Sequence, residues 1–291
     1  MILIAGATGM LGSEICRLLT ERGVQVRAMV RDTSDQNKVE ALRTLGAEIV
    51  TADLKEKGSL DAACRGVDAV ISTANSMQNR QPGDDFESVD KYGQIDLVSA
   101  ALTAGVSRFV FVSIPAGTVE FPLSEAKNSV EQVIKTSGMM YTILKPTMFM
   151  EVWLSPALGF DPANGTARIY GSGENRISWI SYIDVARFAV ESLDNPAAEN
   201  AVIELGGPEA LSPLEVVSIV EQTTGRELTT EHIPADVLRE QWSTAIDPLQ
   251  KTFTGLMLFA AGGNEIPMEL TLQKFPVSLT SVRDYASRTL S

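Results

Sequence analysis

The chain has 291 residues and a formal net charge of −13, with 44% hydrophobic and 21% charged residues, a composition typical of a folded globular protein rather than a disordered chain. The acidic balance argues against direct nucleic-acid binding, which needs clustered Lys and Arg residues to neutralise phosphates. Two cysteines and one histidine are too few for a disulfide framework, a cysteine-rich zinc site or a multi-histidine metal centre, so no metal is expected.

The sequence contains no run of 18 or more hydrophobic residues, so no transmembrane helix and no membrane partner are expected. Residues 1–6 lack the charged start and the long hydrophobic stretch of a signal peptide, and they are predicted to form a strand. We therefore expect a cytoplasmic protein, in agreement with cysteines for which no disulfide is predicted.

The first half of the sequence alternates between short hydrophobic runs, predicted as buried parallel strands, and helical patterns. Glycines stand at or near the ends of the helical stretches, where they supply the left-handed conformation that stops a helix. This repeated alternation indicates a parallel sheet with right-handed crossovers. The predicted strands are 2–5, 24–30, 48–51, 69–73, 108–113 and 140–144, and the predicted helices are 10–21, 38–45, 59–64, 90–104 and 124–136.

After about residue 146 the alternation becomes less regular, and turn sequences interrupt it. Ser212, Pro213 and Glu215 form a capping-box sequence at the start of one helical pattern. The patterns together predict an α/β fold, in which a doubly wound parallel Rossmann sheet at 1–150 is followed by a smaller C-terminal α+β substrate lobe at 151–291 that partly returns to the sheet. Here the predicted strand is 201–205, and the predicted helices are 181–193, 211–224, 237–242, 249–261 and 278–291.

Three glycines, Gly6, Gly9 and Gly12, lie directly between the first predicted strand and the first predicted helix. Gly6 allows a tight turn, Gly9 lets the backbone approach a pyrophosphate, and Gly12 lets the helix pack against the strand. The exposed N–H groups and the helix dipole would then bind phosphates. A turn without a ligand is the alternative, but this context is the one that dinucleotide binding requires. The predicted cofactor-binding residues of the turn are Gly6, Ala7, Thr8, Gly9, Met10, Leu11 and Gly12.

The second predicted strand is followed by Arg31, at the place where an acidic residue would bind the ribose of NAD. A guanidinium is instead suited to the 2′-phosphate of NADP. We therefore expect NADP(H) as the cofactor in preference to NAD(H). The alternative is a surface ion pair of Arg31 with Asp32 or Asp53.

Several segments carry a family resemblance. They are Gly6-Ala-Thr-Gly-Met-Leu-Gly, Val30-Arg-Asp, Ala52-Asp-Leu, Ala104-Gly-Val-Ser-Arg-Phe-Val-Phe-Val-Ser and Tyr141-Thr-Ile-Leu-Lys-Pro. Together they resemble the NmrA-like group of atypical short-chain dehydrogenases/reductases. The resemblance is dense over residues 1–150, and thin further on through Trp179-Ile-Ser-Tyr-Ile-Asp-Val-Ala and Glu204-Leu-Gly-Gly-Pro.

The resemblance implies cofactor contacts at the carboxyl ends of the strands, where open α/β sheets bind ligands. Asp53 and Leu54 would flank the adenine, and Ser113 would lie near the nicotinamide. Two further groups of residues are implied. Thr73, Ala74 and Asn75 would lie along the ribose and pyrophosphate, and Pro146, Thr147, Met148 and Phe149 would line the nicotinamide pocket.

The sequence departs from the usual family pattern at its catalytic pair. Short-chain dehydrogenases generally carry Tyr-x-x-x-Lys, in which the lysine lowers the tyrosine pKa and the tyrosine protonates a carbonyl oxygen. Lys127 stands where the family lysine is expected, but Leu123 occupies the tyrosine position. This resembles the isoflavone-reductase and quinone-reductase branches, which retain the lysine alone. Lys127 and Ser113 are therefore the candidate catalytic residues, with a solvated lysine and a packing serine as the alternatives.

These features predict an NADPH-dependent reductase that transfers a hydride to an apolar, quinone-like or conjugated aromatic small molecule. The second hypothesis is a non-catalytic NADP(H)-sensing regulatory or assembly protein of the NmrA type, which would have a regulatory protein partner. The absence of Tyr-x-x-x-Lys disfavours a sugar-nucleotide epimerase. A monomer or homodimer is expected.

Other conspicuous residues have simpler interpretations. Cys16 falls on the core side of the first predicted helix and is expected to be an inert buried thiol. His232 is expected to be a surface or packing residue. Asp84 and Asp85 are expected to belong to a solvated loop.

Overall fold

The computed structural model describes residues 1–77, 80–117 and 119–290. Its strands are β1 (Ile2–Ala5), β2 (Val26–Val30), β3 (Glu48–Thr51), β4 (Ala69–Ser72), β5 (Arg108–Val112), β6 (Met140–Pro146), β7 (Phe160–Asp161), β8 (Thr166–Tyr170), β9 (Ala201–Leu205) and β10 (Thr229–Ile233). Its α-helices are α1 (Met10–Glu21), α2 (Gln36–Thr44), α3 (Lys57–Cys64), α4 (Gln94–Thr103), α5 (Pro122–Thr136), α6 (Met150–Trp153), α7 (Tyr182–Glu191), α8 (Pro213–Thr224), α9 (Ala235–Thr244), α10 (Pro248–Gly262), α11 (Glu269–Lys274) and α12 (Val282–Thr289). No helix of these described segments is long and hydrophobic enough to cross a membrane.

Within the described residues, seven strands form the central sheet in the order β3-β2-β1-β4-β5-β6-β9. The neighbouring strands from β3 to β6 are parallel, and Ile4 of β1 stands between Ala28 of β2 and Ile71 of β4. The strand order reverses between β1 and β4. The loops that leave these two strands therefore diverge, and open α/β sheets bind ligands at such a point. The predicted doubly wound Rossmann sheet is confirmed.

The strands at the centre of this sheet are covered on both faces. Every residue of β1 and β4 is buried, as expected for a parallel sheet with helices on either side. Leu3, Phe109 and Phe111 are fully buried in the core on one side. Cys16 of α1 is also buried, as expected from its helical position, and burial raises the pKa of its thiol to about 12.

The helix predicted over residues 90–104 consists of two different parts. A π-helix over Phe86–Gly93 leads directly into α4, which begins at Gln94. Asp85 caps the π-helix, since its carboxylate accepts from the Ser88 N–H at 2.6 Å while the Ser88 hydroxyl accepts from the Asp85 N–H at 3.1 Å. The periodicity of hydrophobic residues predicted a helix here, but it did not distinguish the wider π turn, a conformation frequent at functional sites.

The chain divides into two compact units. The first comprises Met1–Ile114, Leu123–Lys145 and Val185–Ile203, and the second comprises Pro115–Pro122, Pro146–Asp184 and Glu204–Ser291. The boundary at residue 150 and the division into a cofactor domain and a substrate lobe stay predictions.

The second unit has its own core and a small sheet. In the part of the chain that the structure describes, this sheet has the strand order β10-β8-β7, and Met148, Trp179 and Val216 belong to the hydrophobic core. The predicted capping box of α8 is present, since the Ser212 hydroxyl accepts from the Glu215 N–H at 3.2 Å and the Glu215 carboxylate from the Ser212 N–H at 2.8 Å. The closing helix predicted over 278–291 is the shorter α12, and residue 291 lies outside the described residues.

Candidate functional site

The turn between β1 and α1 depends on two close approaches of backbone. Gly6 has a φ of +87°, and a Cβ atom there would lie 2.7 Å from Thr73 Oγ1 and 2.8 Å from the Ala74 nitrogen. A Cβ at Gly12 would lie 2.2 Å from the Gly6 carbonyl oxygen. Only glycine fits both positions without displacing backbone. The turn therefore lies directly against the residues that follow β4, and the structure brings these two predicted groups of site residues together.

The N-terminus of α1 is open at Gly9. The Gly9 N–H donates to the Gly6 carbonyl at 2.9 Å, and no described side chain caps the first turn of the helix. A Cβ at Gly9 would meet only the Gly6 oxygen, at 3.2 Å, and both Gly9 and Met10 are exposed. Uncapped N–H groups at a helix N-terminus bind phosphate. The residues present therefore fit the pyrophosphate of a dinucleotide.

Ala7, Leu11 and Thr8 take part in the same turn with different exposure. Ala7 and Leu11 are buried, whereas Thr8 is half-buried. The side chains of Ala7 and Leu11 therefore pack inward, and a ligand would meet the backbone N–H groups of this segment rather than its hydrophobic side chains.

A buried glutamine fixes the chain after β4. Gln94 Nε2 donates to the Ala74 carbonyl at 3.0 Å, and its Oε1 accepts from the Ser72 hydroxyl at 2.8 Å. Thr73 donates its N–H to the Ala5 carbonyl at 3.0 Å. Gln94 thus positions residues that the sequence did indicate, but sequence reasoning missed Gln94 itself, because a lone glutamine in a helical pattern carries no signal.

Arg31 forms an ion pair with a residue that sequence reasoning missed. Its Nη1 donates to Asp84 Oδ2 at 2.6 Å, and Lys55 Nζ lies 2.5 Å from Asp84 Oδ1. The Asp84 side chain is 2% exposed, so the prediction that Asp84 belongs to a solvated loop is wrong. The physical reason is that two cations cover the carboxylate. Burial raises the pKa of Asp84, but Lys55, the Gln81 N–H and Arg31 together hold it below its ordinary value.

The residues predicted to flank the adenine make local contacts. Asp53 Oδ1 accepts from the Lys55 N–H at 2.9 Å, and the Asp53 N–H donates to Ser59 Oγ at 3.1 Å. Leu54 is buried, and a Cβ at Gly93 would lie 2.7 Å from its Cβ. Leu54 therefore packs against the end of the π-helix, and its place beside an adenine stays a prediction.

Asn75 is the exposed member of the group after β4. Its Oδ1 accepts from the Met77 N–H at 3.0 Å, a local hydrogen bond that shapes the loop. Its amide group lies at the surface, so it is accessible to a ligand, and its role along the cofactor stays a prediction.

Lys127 is a buried lysine on α5. Its side chain is 6% exposed, its Nζ donates to the Val112 carbonyl at 2.8 Å, and the same atom lies 4.8 Å from the centre of the Phe111 ring. The alternative of a solvated charge is therefore wrong. Burial lowers the pKa of Lys127 below its ordinary value, while the carboxylates of Asp90 and Glu131 act in the opposite direction.

Ser113 follows β5 and belongs to the same buried region. Its hydroxyl donates to Glu131 Oε1 at 2.6 Å, and Lys145 Nζ lies 2.9 Å from that oxygen. Ser113 and Glu131 are each 2% exposed. Glu131 stands one helical turn after Lys127 and interacts electrostatically with it, so Glu131 links the two predicted catalytic residues in one polar cluster. We call Asp90, Ser113, Lys127, Glu131 and Lys145 the buried polar cluster.

Asp90 supplies the second carboxylate of this cluster from the π-helix. It is 1% exposed, and its Oδ2 accepts from the Ser76 hydroxyl at 2.5 Å. Burial raises the pKa of Asp90, and Lys127 and Ser76 oppose this rise. Sequence reasoning missed both carboxylates. For Glu131 a signal exists, because an acidic residue four positions after a helical lysine lies on the same face.

The segment predicted to line the nicotinamide belongs to the second unit. The Thr147 N–H donates to the Leu205 carbonyl at 2.9 Å, and its hydroxyl donates to the Ser178 carbonyl. Met148 is buried, and Phe149 pairs with Ile180 in an isolated bridge. Pro146 ends β6. The role of Pro146, Thr147, Met148 and Phe149 stays a prediction.

The chain is similar to known proteins over most of its length. The model of the NmrA-like family matches residues 1–279. The chain is 32% identical over 229 residues to an NAD(P)H azoreductase from Xenophilus azovorans, covering 78% of this chain and 74% of the relative. It is 30% identical over 247 residues to the photosystem II assembly factor Ycf39 of Trieres chinensis, covering 82% and 73%. A solved structure of the NADPH-dependent quinone oxidoreductase QOR2 from Escherichia coli, complexed with NADPH, matches with a TM-score of 0.80 and 21% identity over the full length of both chains. This chain belongs to the NmrA-like family.

Proposed function

We propose that this protein is an NADPH-dependent reductase that acts on an apolar, quinone-like or conjugated aromatic small molecule. The observation that carries the proposal is the burial of Lys127 beside Ser113 where β5 ends. A buried lysine with a shifted pKa at the carboxyl edge of an open sheet is more typical of a functional site than of the surface. The similarity to an NAD(P)H azoreductase supports the same class of reaction.

The cofactor proposed is NADP(H). Gly6, Gly9 and Gly12 would hold its pyrophosphate at the N-terminus of α1, and Arg31 would bind its 2′-phosphate. When bound, the nicotinamide supplies the hydride for the reduction. The similar quinone oxidoreductase was solved with NADPH, which supports this choice over NAD(H).

Lys127 has two tasks in this proposal. Its ammonium would hydrogen-bond the cofactor ribose, and it would deliver a proton to the reduced substrate. A buried amine with a lowered pKa is better matched to proton transfer near neutral pH than a solvated lysine. Asp90 and Glu131 act against complete loss of its charge, and Ser113 is the second candidate proton donor.

The substrate class follows from the residue at position 123. Leu123 is buried and stands where a tyrosine would act as the acid. Without a phenol, protonation of a carbonyl oxygen during reduction would depend on Lys127 or Ser113 alone. A quinone or a cationic conjugated acceptor gives a stabilised product on hydride transfer and needs less acid catalysis than a simple ketone. The proposed substrates are therefore of this kind.

A second candidate function is a non-catalytic NADP(H)-binding assembly or regulatory protein. Two observations favour it, the leucine at position 123 and the similarity to the assembly factor Ycf39. Such a protein would bind the cofactor and a protein partner without turnover.

The experiment that separates the two candidates combines binding with turnover. NADPH affinity is measured by calorimetry, and NADPH oxidation is followed with a panel of quinones, azo dyes, triphenylmethane dyes and enones. Turnover with any of these acceptors supports the reductase. Tight NADPH binding without turnover supports the assembly or regulatory protein, and absence of NADPH binding contradicts both.

A further inference from the structure

Two cations from different loops converge on one buried carboxylate. Arg31 follows β2, Lys55 lies in the loop after β3, and Asp84 lies between β4 and the π-helix. Arg31 Nη1 lies 2.6 Å from Oδ2 of Asp84, and Lys55 Nζ lies 2.5 Å from Oδ1. Each cation therefore contacts its own oxygen of the same carboxylate. Any small anion with two such oxygens could be bound by both cations at once.

The cations remain accessible although the carboxylate is not. The side chains of Arg31 and Lys55 are 30% and 26% exposed, whereas that of Asp84 is 2% exposed. Lys55 Nζ lies 2.5 Å from Oδ1 of Asp84, so the ammonium contacts the buried oxygen directly while the rest of the lysine side chain stays partly exposed.

A phosphate monoester would satisfy this pair of cations better than Asp84 does. It carries a charge of about −1.5 to −2 near pH 7 and three strong acceptor oxygens, against one charge and two oxygens for a carboxylate. A lysine at its ordinary pKa is charged near pH 7, so Lys55 can bind an anion whether or not Asp84 is beside it. The adenosine 2′-phosphate of NADP(H) is the anion expected beside Arg31 under the proposed function.

We propose that Asp84 holds the place of the adenosine 2′-phosphate between Arg31 and Lys55, and that the phosphate displaces Asp84 when NADP(H) binds. Lys55 is then a second ligand of the phosphate. NAD(H), which has a hydroxyl at this position, leaves both ion pairs intact. Asp84 and Lys55 thereby determine how strongly the protein prefers the phosphorylated cofactor. This inference rests on the proposed function.

The chain around Asp84 is compatible with such an exchange. Gly83 has a φ of +83° and Asp85 is the N-cap of the π-helix, so Asp84 lies in a short turn between them. Besides its two cations, Asp84 Oδ2 accepts from the Gln81 N–H at 2.9 Å. Displacement thus breaks two ion pairs and one local hydrogen bond, while the π-helix cap of Asp85 and Ser88 is separate from them.

The test uses calorimetric binding of NADPH, NADH and the fragments adenosine 2′,5′-bisphosphate and 5′-ADP to the full chain. Asp84→Asn is expected to tighten NADPH and the bisphosphate about fivefold, the gain from removing two partly exposed ion pairs. Lys55→Met is expected to weaken both about tenfold, since it removes a charge-assisted contact. Neither substitution is expected to change the binding of NADH or 5′-ADP.

Two matched controls accompany these variants. Asp85→Asn makes the same substitution at the adjacent residue, whose carboxylate bonds Ser88 instead. Lys57→Met removes a nearby exposed lysine that pairs with Asp96 at 3.6 Å. Both are expected to leave the ratio of NADPH to NADH affinity unchanged.

Weaker or unchanged NADPH binding by Asp84→Asn overturns the displacement, because it would mean that Asp84 supports the cations or has no part in the site. If Asp84→Asn does not fold, Lys55→Met decides, and an unchanged affinity ratio in that variant overturns the inference. A wild-type protein that binds neither NADPH nor the bisphosphate contradicts the proposed function itself. Wild-type NADPH binding with unaltered ratios in both variants contradicts this inference alone.

Discussion

Ser113 and Glu131 form a buried hydrogen bond of 2.6 Å that joins the end of β5 to α5. One helical turn earlier, Lys127 ties the same helix to Val112 of β5. The two candidate catalytic side chains are therefore positioned by one strand and one helix. Groups held on regular elements keep their geometry better than groups on loops. A substitution at either position should therefore change the side-chain chemistry with little change in the backbone.

Replacement of Lys127 tests its role in the reaction. Lys127→Met is expected to abolish turnover or to raise KM for NADPH, because the variant loses the ammonium proposed to hydrogen-bond the cofactor ribose and to deliver the proton. Steady-state kinetics with the acceptor found in the panel measure the effect. Lys91→Met, at a surface lysine that pairs with Glu87, serves as the control. Unaltered kinetics in Lys127→Met would end the assignment.

The same lysine makes stability depend on pH. Burial holds the pKa of Lys127 below its ordinary value, so between these two pKa values the folded protein binds fewer protons here than the unfolded chain. The free energy of unfolding contributed by this residue therefore rises with pH across that window and levels off above the ordinary lysine pKa. Urea denaturation of wild type and Lys127→Met over a pH series should show a difference that grows with pH. A constant difference would contradict the burial effect.

The glycines of the first turn should separate folding from binding. Gly12→Ala places a Cβ 2.2 Å from the Gly6 carbonyl oxygen. Because relief of this clash requires a shift of the backbone at Gly6, the free energy of unfolding is expected to fall by about 3 kcal/mol. Gly9→Ala meets only one oxygen at 3.2 Å and should fold with a stability change below about 1 kcal/mol, yet bind NADPH more weakly. Thermal melts and NADPH titrations of both variants provide the measurements. Equal destabilisation of the two would show that the turn has been misinterpreted.

Arg31 should discriminate between the two cofactors. Arg31→Ala is expected to weaken NADPH binding by about 1.5–3 kcal/mol, the range for a hydrogen bond to a charged group, and to leave NADH binding nearly unchanged. Parallel titrations with both cofactors measure the difference. Equal losses for NADPH and NADH would refute the assignment of the 2′-phosphate to Arg31.

The parts of the fold that were predictable depend on neighbours in sequence. The bounds of β1, α1, β3 and β9 agree with the predicted 2–5, 10–21, 48–51 and 201–205, because hydrophobic periodicity and terminal glycines act over a few residues. The capping box of Ser212 is of the same local kind. The short strands β7, β8 and β10 were missed, and the sequence of β10, Thr229–Ile233, is mostly polar.

The parts of the site that were not predictable depend on distant partners. Asp84 lies in a polar stretch that looks solvated, and its burial results from Arg31 and Lys55, which approach it only when the sheet has placed β3, β2, β1 and β4 in that order. Gln94 contacts Ala74, and Asp90 contacts Ser76. These contacts join residues that are 14 or more positions apart, so the local sequence pattern does not predict them. The glycine turn was found from a spacing tied to a known chemistry, and Lys127 was found from its position in the family resemblance.

Two lysines, Lys127 and Lys145, and two carboxylates, Asp90 and Glu131, lie together in the buried polar cluster, and the partly exposed Lys135 lies 3.4 Å from Glu131 at its margin. Deleting one member of such a set leaves an unmatched charge in a dry interior, which costs several kcal/mol. If Lys127 is replaced by a neutral residue during evolution, a second substitution that removes one of the two carboxylates would restore stability. Substitutions at these four positions should therefore occur in compensating pairs, and a descendant that lost only one of them would be less stable than its ancestor.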